Sequence, residues 1–257
     1  MRLFVAPILL YYPQVPAFLS LALVVIELLQ PSAVVAPVAQ RFEARYRASS
    51  TLQATFLEKY SEGGRVTRAE AGVAYFRRPG RMRWEYDSPE KNLFLVDGKW
   101  AWFFVPADHT VTRVLAKHSN DWRTPVALLA NNPKLSRICA EVAPSETVPA
   151  LTPGDSVLFC LLRGSEPAPA KKSGARLSAR ALEEHAAAQG DAIFMEIQTQ
   201  TGVLARVLVT QPARVSIEFQ FTRWQFDPPL SESLFRFEPP VGVAIVDGDL
   251  SPTGPSK

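Results

Sequence analysis

The sequence has few of the residues that enzymes most often use for catalysis or metal binding. It contains two cysteines and three histidines in 257 residues, and His109, His118 and His185 lie in separate segments. It has no G-x-S-x-G elbow and no Walker-type phosphate loop. No two of these histidines have the i, i+4 spacing of a common zinc motif, and neither cysteine has a histidine near it along the chain. We therefore expect no metal, no cofactor and no enzymatic activity.

The chain also lacks an excess of charge of either sign. Its net charge is +3, and no row of lysines and arginines alternates with stacking aromatic residues. Proteins that bind nucleic acid neutralise several phosphates with clustered basic residues. We therefore expect no nucleic-acid partner.

Long apolar runs are absent outside the N-terminal region. There, AFLSLALVVIELL at residues 17–29 follows Arg2 and precedes the small-residue segment PSAVVAPVA. This order is typical of a secretory signal, which we place at residues 1–36. The mainly apolar part, residues 17–26, is shorter than the roughly 20 residues that span a bilayer. Cleavage after export is thus favoured, and retention as an N-terminal anchor in the inner membrane is the alternative.

Most of the remaining sequence has the period of a β-strand. In RMRWEY, residues 81–86, large apolar side chains alternate with charged ones, which predicts a strand with one buried face. Asp97–Gly98 separates two apolar runs and predicts a tight antiparallel hairpin. Similar runs recur from Gly72 to Phe237, separated by turn residues. The pattern predicts one mainly-β domain, a barrel or a sandwich.

A few segments break the strand pattern. Residues 39–57 and 121–131 have helical spacing and predict two short helices that flank the sheet. Residues 165–190 differ in composition from their surroundings and are interpreted as a flexible insertion, whose second half could form a helix with little to bury. The polar residues 248–257 are expected to form a disordered tail.

The two cysteines lie in two apolar segments that a proline-rich connection joins. Cys139 and Cys160 could therefore pair across antiparallel strands as a disulfide, as an oxidising compartment would allow. The alternative is a pair of buried thiols that act as small apolar side chains.

The chain has more large apolar side chains than the core of a simple sheet needs. They could fill a barrel interior, or they could line a cavity that accepts acyl chains. The candidate cavity residues are Phe56, Met82, Trp84, Tyr86, Phe94, Trp102, Phe104, Leu128, Phe219 and Phe221.

Five motifs in this order resemble the LolA family of outer-membrane lipoprotein carriers: LQATFLEKY, GVAYFRRPGRMRWEYDSP, LVDGKWAWFFVP, TPVALLAN and FRFEPPVGVAIVD. The resemblance covers residues 39–247. It implies a single lipid-binding domain with α and β elements, an incomplete, open antiparallel β-barrel whose helical lid covers a hydrophobic cavity. It further implies that Arg78, in the R-P motif, holds the lid closed; the alternative for Arg77 and Arg78 is two surface arginines near a turn.

The same resemblance implies a function. LolA-family carriers are monomers of the periplasm that bind the acyl chains of lipoproteins. They receive lipoproteins from an inner-membrane ABC exporter and carry them toward the outer membrane, where a receptor can take them over. Two alternatives stay open: a lipid-sensing or protein-binding module with the same fold, and an esterase built on a lipid-binding barrel.

Overall fold

A computed structural model describes residues 32–118, 124–131, 133–165 and 177–248. The predicted signal up to residue 31, the first half of the predicted insertion and the tail from residue 249 lie outside these residues. The strands are β1 (Thr51–Glu62), β2 (Arg65–Arg77), β3 (Arg81–Ser88), β4 (Leu93–Val96), β5 (Trp100–Val105), β6 (Thr110–Leu115), β7 (Cys139–Pro144), β8 (Ser156–Leu162), β9 (Ala192–Ile197), β10 (Leu204–Gln211), β11 (Val215–Phe226) and β12 (Ala244–Asp247). The α-helices are α1 (Ser32–Arg47) and α2 (Ala179–Gln189).

All twelve strands belong to one sheet. Their order is β12-β6-β5-β4-β3-β2-β1-β11-β10-β9-β8-β7, and neighbouring strands are antiparallel except β12 and β6, which are parallel. Within the described residues, the end strands β12 and β7 do not pair with each other, so the sheet stays open. The prediction of an open, antiparallel, mainly-β fold with helices is thus confirmed.

The predicted hairpin joins β4 and β5. Gly98 has a φ of +101°, a region that favours glycine. The Asp97 carboxylate accepts hydrogen bonds from the backbone nitrogens of Lys99 and Trp100, at 2.8 and 2.7 Å. The turn therefore satisfies its own backbone donors and fixes the pairing of Val96 with Ala101.

Two of the predicted helices differ in extent from the structure. The first begins at Ser32 and ends at Arg47, and Thr51 already belongs to β1. It ends early because the Asp227 carboxylate accepts hydrogen bonds from the nitrogen and hydroxyl of Ser50, at 2.7 and 3.2 Å, which starts the strand. The second is a 3₁₀-helix over Thr124–Ala130, and residues 121–123 lie outside the described part.

Helix α2 packs on the outer face of β8–β10. The second half of the predicted insertion therefore buries more apolar surface than the sequence predicted. Ser178 caps its N terminus, and Ala186 is buried against the sheet. Glu183 is fully buried, and its carboxylate accepts hydrogen bonds from the nitrogen of Glu146 at 2.8 Å and the hydroxyl of Thr147 at 2.6 Å. The helix thereby fixes the connection between β7 and β8.

Candidate functional site

The inner face of the sheet holds most of the predicted cavity residues. Eight of the ten lie in one continuous core: Phe56, Met82, Trp84, Tyr86, Phe94, Leu128, Phe219 and Phe221. Trp84 is at its centre, with ring centroids 4.8 Å from Phe56 and 5.2 Å from Phe219. Its pairing with Phe94 across β3 and β4 puts both side chains on the same face. The large side chains of β3 therefore face inward, as the alternation in the sequence predicted.

The prediction that Trp102 and Phe104 line the cavity is wrong, because both side chains lie on the outer face of the sheet. On β5 the inner positions are Ala101 and Phe103, and side chains alternate along a strand. The rings of Trp102 and Phe104 instead contact Phe237, with centroid distances of 5.4 and 5.7 Å. Phe237 belongs to the C-terminal segment, residues 227–248, which crosses this outer face before it forms β12.

Helix α1 covers the inner face. Four of its side chains, Val35, Val38, Phe42 and Tyr46, are buried in the same core as the sheet aromatics. The Tyr46 hydroxyl accepts a hydrogen bond from the nitrogen of Leu204 at 3.0 Å. Burial strongly raises the pKa of this hydroxyl, which therefore stays neutral.

The 3₁₀-helix Thr124–Ala130 covers the inner face beside β2 and β3. Val126, Leu129 and Ala130 are buried in the core, and the nitrogen of Gly80 donates to the carbonyl of Ala130 at 2.8 Å. We call α1 and this 3₁₀-helix together the lid. Within the described residues, both parts rest on apolar contacts with the sheet and on hydrogen bonds near its β2–β3 turn.

Arg78 connects the two parts of the lid. Its Nη1 donates to the carbonyls of Arg47 and Ser49, at 3.0 and 2.7 Å. Its Nη2 donates to the carbonyl of Tyr46 and to that of Leu129, the latter at 3.3 Å. Among the described residues, no carboxylate lies within 4.0 Å of the guanidinium. Partial burial lowers the pKa of Arg78, and Asp227 counteracts this shift from a distance.

Bonds from Arg78 to carbonyls suit a lid that opens. When such bonds break, water can donate hydrogen bonds to the carbonyls instead, and no buried carboxylate is left without its partner. Arg77 points to the outer face, where it donates to the carbonyl of Leu230 at 2.7 Å and pairs with Glu232 at 2.6 Å. Of the two adjacent arginines, only Arg78 contacts the lid.

Cys139 and Cys160 form a disulfide between β7 and β8. Their Cα atoms are 5.3 Å apart, and both side chains are buried in the core beneath the lid. Strand β7 contacts α1. The disulfide therefore holds together the sheet edge on which one side of the lid rests.

The sequence reasoning missed a cleft beside α1. It has a volume of about 400 Å³, and its walls include Arg45, Arg223, Trp224 and Phe226. The missed signal is in FTRWQF, residues 221–226, where aromatic side chains change from odd to even positions. Such a change of parity indicates a β-bulge, and the pairing of β1 with β11 is irregular at this point.

Residues 47–149 match the family model for "Outer membrane lipoprotein carrier protein LolA". Over these residues the chain is similar to the LolA family. An outer-membrane lipoprotein carrier protein from Xylella fastidiosa is 28% identical over 202 residues, which cover 78% of this chain and 83% of that protein. One from Coxiella burnetii is 25% identical over 198 residues, which cover 76% of this chain and 80% of that protein.

The matched region runs from the end of α1 into the β7–β8 connection and includes Arg78. A crystal structure of an uncharacterized conserved protein from Thermus thermophilus aligns with a TM-score of 0.48 and 12% identity, over 84% of this chain and 99% of that one. Within the described residues there is no group of three potential metal ligands, and no helix is long and apolar enough to cross a membrane.

Proposed function

We propose that the protein is a periplasmic carrier of lipoproteins. It binds the acyl chains of lipoproteins that an inner-membrane ABC exporter releases, and it carries them toward the outer membrane. The observation that supports this function best is the set of bonds from Arg78 to both parts of a lid over an aromatic sheet face. The names of the relatives from two genera point the same way.

In the proposed mechanism, acyl chains take the place of the lid on the inner face of the sheet. Phe42 and Tyr46 of α1 now occupy this face, and they leave it when the lid opens. Burial of hydrocarbon contributes about 0.8 kcal/mol per CH₂ group, or roughly 8 kcal/mol for ten methylenes. This gain offsets the apolar contacts that the lid loses, so closed and loaded states can be close in free energy. Transfer to a receptor or to the outer membrane then requires only that the lid closes again.

No catalytic step is needed for this cycle. The carrier accepts its cargo from the exporter as a monomer and requires no cofactor. The N-terminal residues 1–36 direct export, and the last five of them, residues 32–36, already belong to α1. Residues 39–247 form the lipid-binding domain with an insertion at residues 165–190. The disulfide between Cys139 and Cys160 is compatible with the oxidising periplasm.

The test is release of lipoproteins from energised spheroplasts. A purified chain that begins at Ser32, the first residue of α1, is added, and triacylated lipoproteins are measured in the soluble fraction. We expect release in a one-to-one complex that increases with the amount of added protein. Spheroplasts depleted of ATP serve as the control, since the exporter cannot then supply cargo.

Two results would contradict the carrier function. One is no release by the folded protein under conditions in which a LolA-family carrier from another species releases cargo. The other is release that does not depend on ATP, which would indicate nonspecific extraction. The first result would favour a lipid-sensing or protein-binding module with the same fold.

A further inference from the structure

The missed cleft lies between α1, the β9–β10 turn and β11. Its apolar wall is made by Leu204, Phe221, Trp224 and Phe226, and Arg45 from α1 contributes to its lining. A volume of about 400 Å³ lies within the range of small-molecule sites. The Trp224 indole nitrogen donates to the carbonyl of Leu204 at 2.7 Å, which fixes this ring in place. One aromatic ring of the wall is thus held in place by a hydrogen bond.

The β-bulge explains how the cleft arises. Ala54 of β1 lies opposite two residues of β11, Arg223 and Trp224, because the pairing shifts between Thr55–Thr222 and Gln53–Gln225. Arg223 has a φ of +53°, which few residues other than glycine adopt. The extra residue turns Trp224 toward the core and leaves Arg223 exposed beside it. An unfavourable backbone conformation at the edge of a cleft is a frequent mark of a functional site.

The cleft combines two cations with an apolar wall. The guanidinium of Arg45 lies over the ring of Phe226, 4.3 Å from its centroid. Among the described residues, neither Arg45 nor Arg223 has a carboxylate within 4.0 Å, and no acidic side chain lines the cleft. A ligand with a negative group next to a hydrocarbon chain would satisfy both halves of this surface.

We propose that this cleft binds an anionic phospholipid. The phosphodiester lies against Arg45 and Arg223, and the first part of an acyl chain lies on the aromatic wall. Zwitterionic lipids bind more weakly, because no carboxylate in the described part of the cleft pairs with their ammonium group. Free phosphate binds weakly as well, since it leaves the aromatic wall exposed to water.

This inference goes beyond the proposed carrier function and can be tested apart from it. The probes contain no lipoprotein, and Arg78 takes no part in the cleft. Release of lipoproteins can therefore succeed while binding of the probe fails, and the reverse is equally possible.

The experiment is isothermal titration calorimetry of the full chain with short-chain lipids below their critical micelle concentration. The probes are dihexanoylphosphatidylglycerol, dihexanoylphosphatidylcholine and inorganic phosphate. We expect the phosphatidylglycerol to bind at least about tenfold more tightly than either of the others. Its phosphodiester forms charge-assisted hydrogen bonds with two arginines while its acyl chain covers the aromatic wall. Added salt should weaken the binding of phosphatidylglycerol most.

The variant Arg45→Gln/Arg223→Gln should lose at least about tenfold in affinity for the phosphatidylglycerol. Arg214→Gln is the matched control, because Arg214 is also exposed and has a φ of +60° but lies outside the cleft. Arg45→Lys/Arg223→Lys keeps both charges and should retain most of the affinity. If both double variants lose binding equally, or if phosphatidylcholine binds as well as phosphatidylglycerol, the proposal is overturned. Phosphate binding as tight as that of the phosphatidylglycerol would also overturn it, because the aromatic wall would then contribute nothing to binding.

Discussion

Replacing Arg78 with leucine should loosen the lid and leave the sheet intact. Leucine has a similar apolar volume near the backbone but cannot donate to the carbonyls of Arg47, Ser49 and Leu129. These carbonyls lie at the end of α1 and in the 3₁₀-helix, so the loss affects both parts of the lid at once. The strands keep all their ladder bonds.

The size of the effect follows from these bonds. A hydrogen bond to a charged donor contributes about 1.5–3 kcal/mol, and Arg78 is half-buried and partly solvated. We therefore expect the closed lid to lose about 2–3 kcal/mol in total, well below the sum of the separate bonds. If the closed state dominates in the free protein, the apparent affinity for an acylated ligand increases when closure weakens, by about 30-fold or more.

The assay is fluorescence titration with a dansylated, triacylated lipopeptide. The Arg78→Leu variant should bind it more tightly than the wild type and pass it to acceptor vesicles more slowly. Arg77→Leu is the control, because Arg77 bonds to the C-terminal segment on the other face. The reasoning is refuted if Arg78→Leu, shown to be folded by circular dichroism, binds and delivers the lipopeptide as the wild type does, or if Arg77→Leu has the same effect.

Three further predictions concern stability. Gly72→Ala would place a Cβ 1.9 Å from the carbonyl oxygen of Glu85, so unfolding in urea should show a loss of about 1–3 kcal/mol; an unchanged midpoint would contradict the close strand approach. Reduction of the Cys139–Cys160 disulfide, 21 residues apart, should cost about 3 kcal/mol in the same assay, and equal midpoints with and without reductant would be the contrary result. Hydrogen bonds from Ser50 lower the pKa of Asp227 below its usual 3.8, so its contribution is complete above that pH and is lost as pH falls through the lowered pKa. Between pH 5 and 2, Asp227→Asn should lose less stability than the wild type, and parallel losses would refute this role.

Local sequence signals predicted the central strands well. The alternation in residues 81–86 depends only on side chains two apart, and the Asp97–Gly98 turn carries its own hydrogen bonds. Both features are decided within a few residues, so one sequence suffices to find them. Arg78 was found by its motif, since nothing in the local pattern shows which of two adjacent arginines faces the lid.

Features that depend on distant residues could not be predicted in this way. β5 has large side chains on both faces, and only its pairing with Leu95 and the arrival of Phe237 put Trp102 outside. The buried carboxylate of Glu183 depends on Thr147, 36 residues earlier in the chain. Alternation alone predicts that β11 is one regular strand, and the bulge at Arg223 is visible only from the pairing of β11 with β1.

The central claim is that acyl chains replace the lid on the inner face of the sheet. Hydrogen–deuterium exchange of the wild type, with and without a triacylated lipopeptide, tests it most directly, because it follows the backbone of α1 and needs no mutation. The account predicts that ligand increases exchange in the second half of α1 and in the 3₁₀-helix, while β1 and β11 stay protected. Unchanged or stronger protection of α1 in the complex, with new protection on the outer face near Trp102, would contradict it.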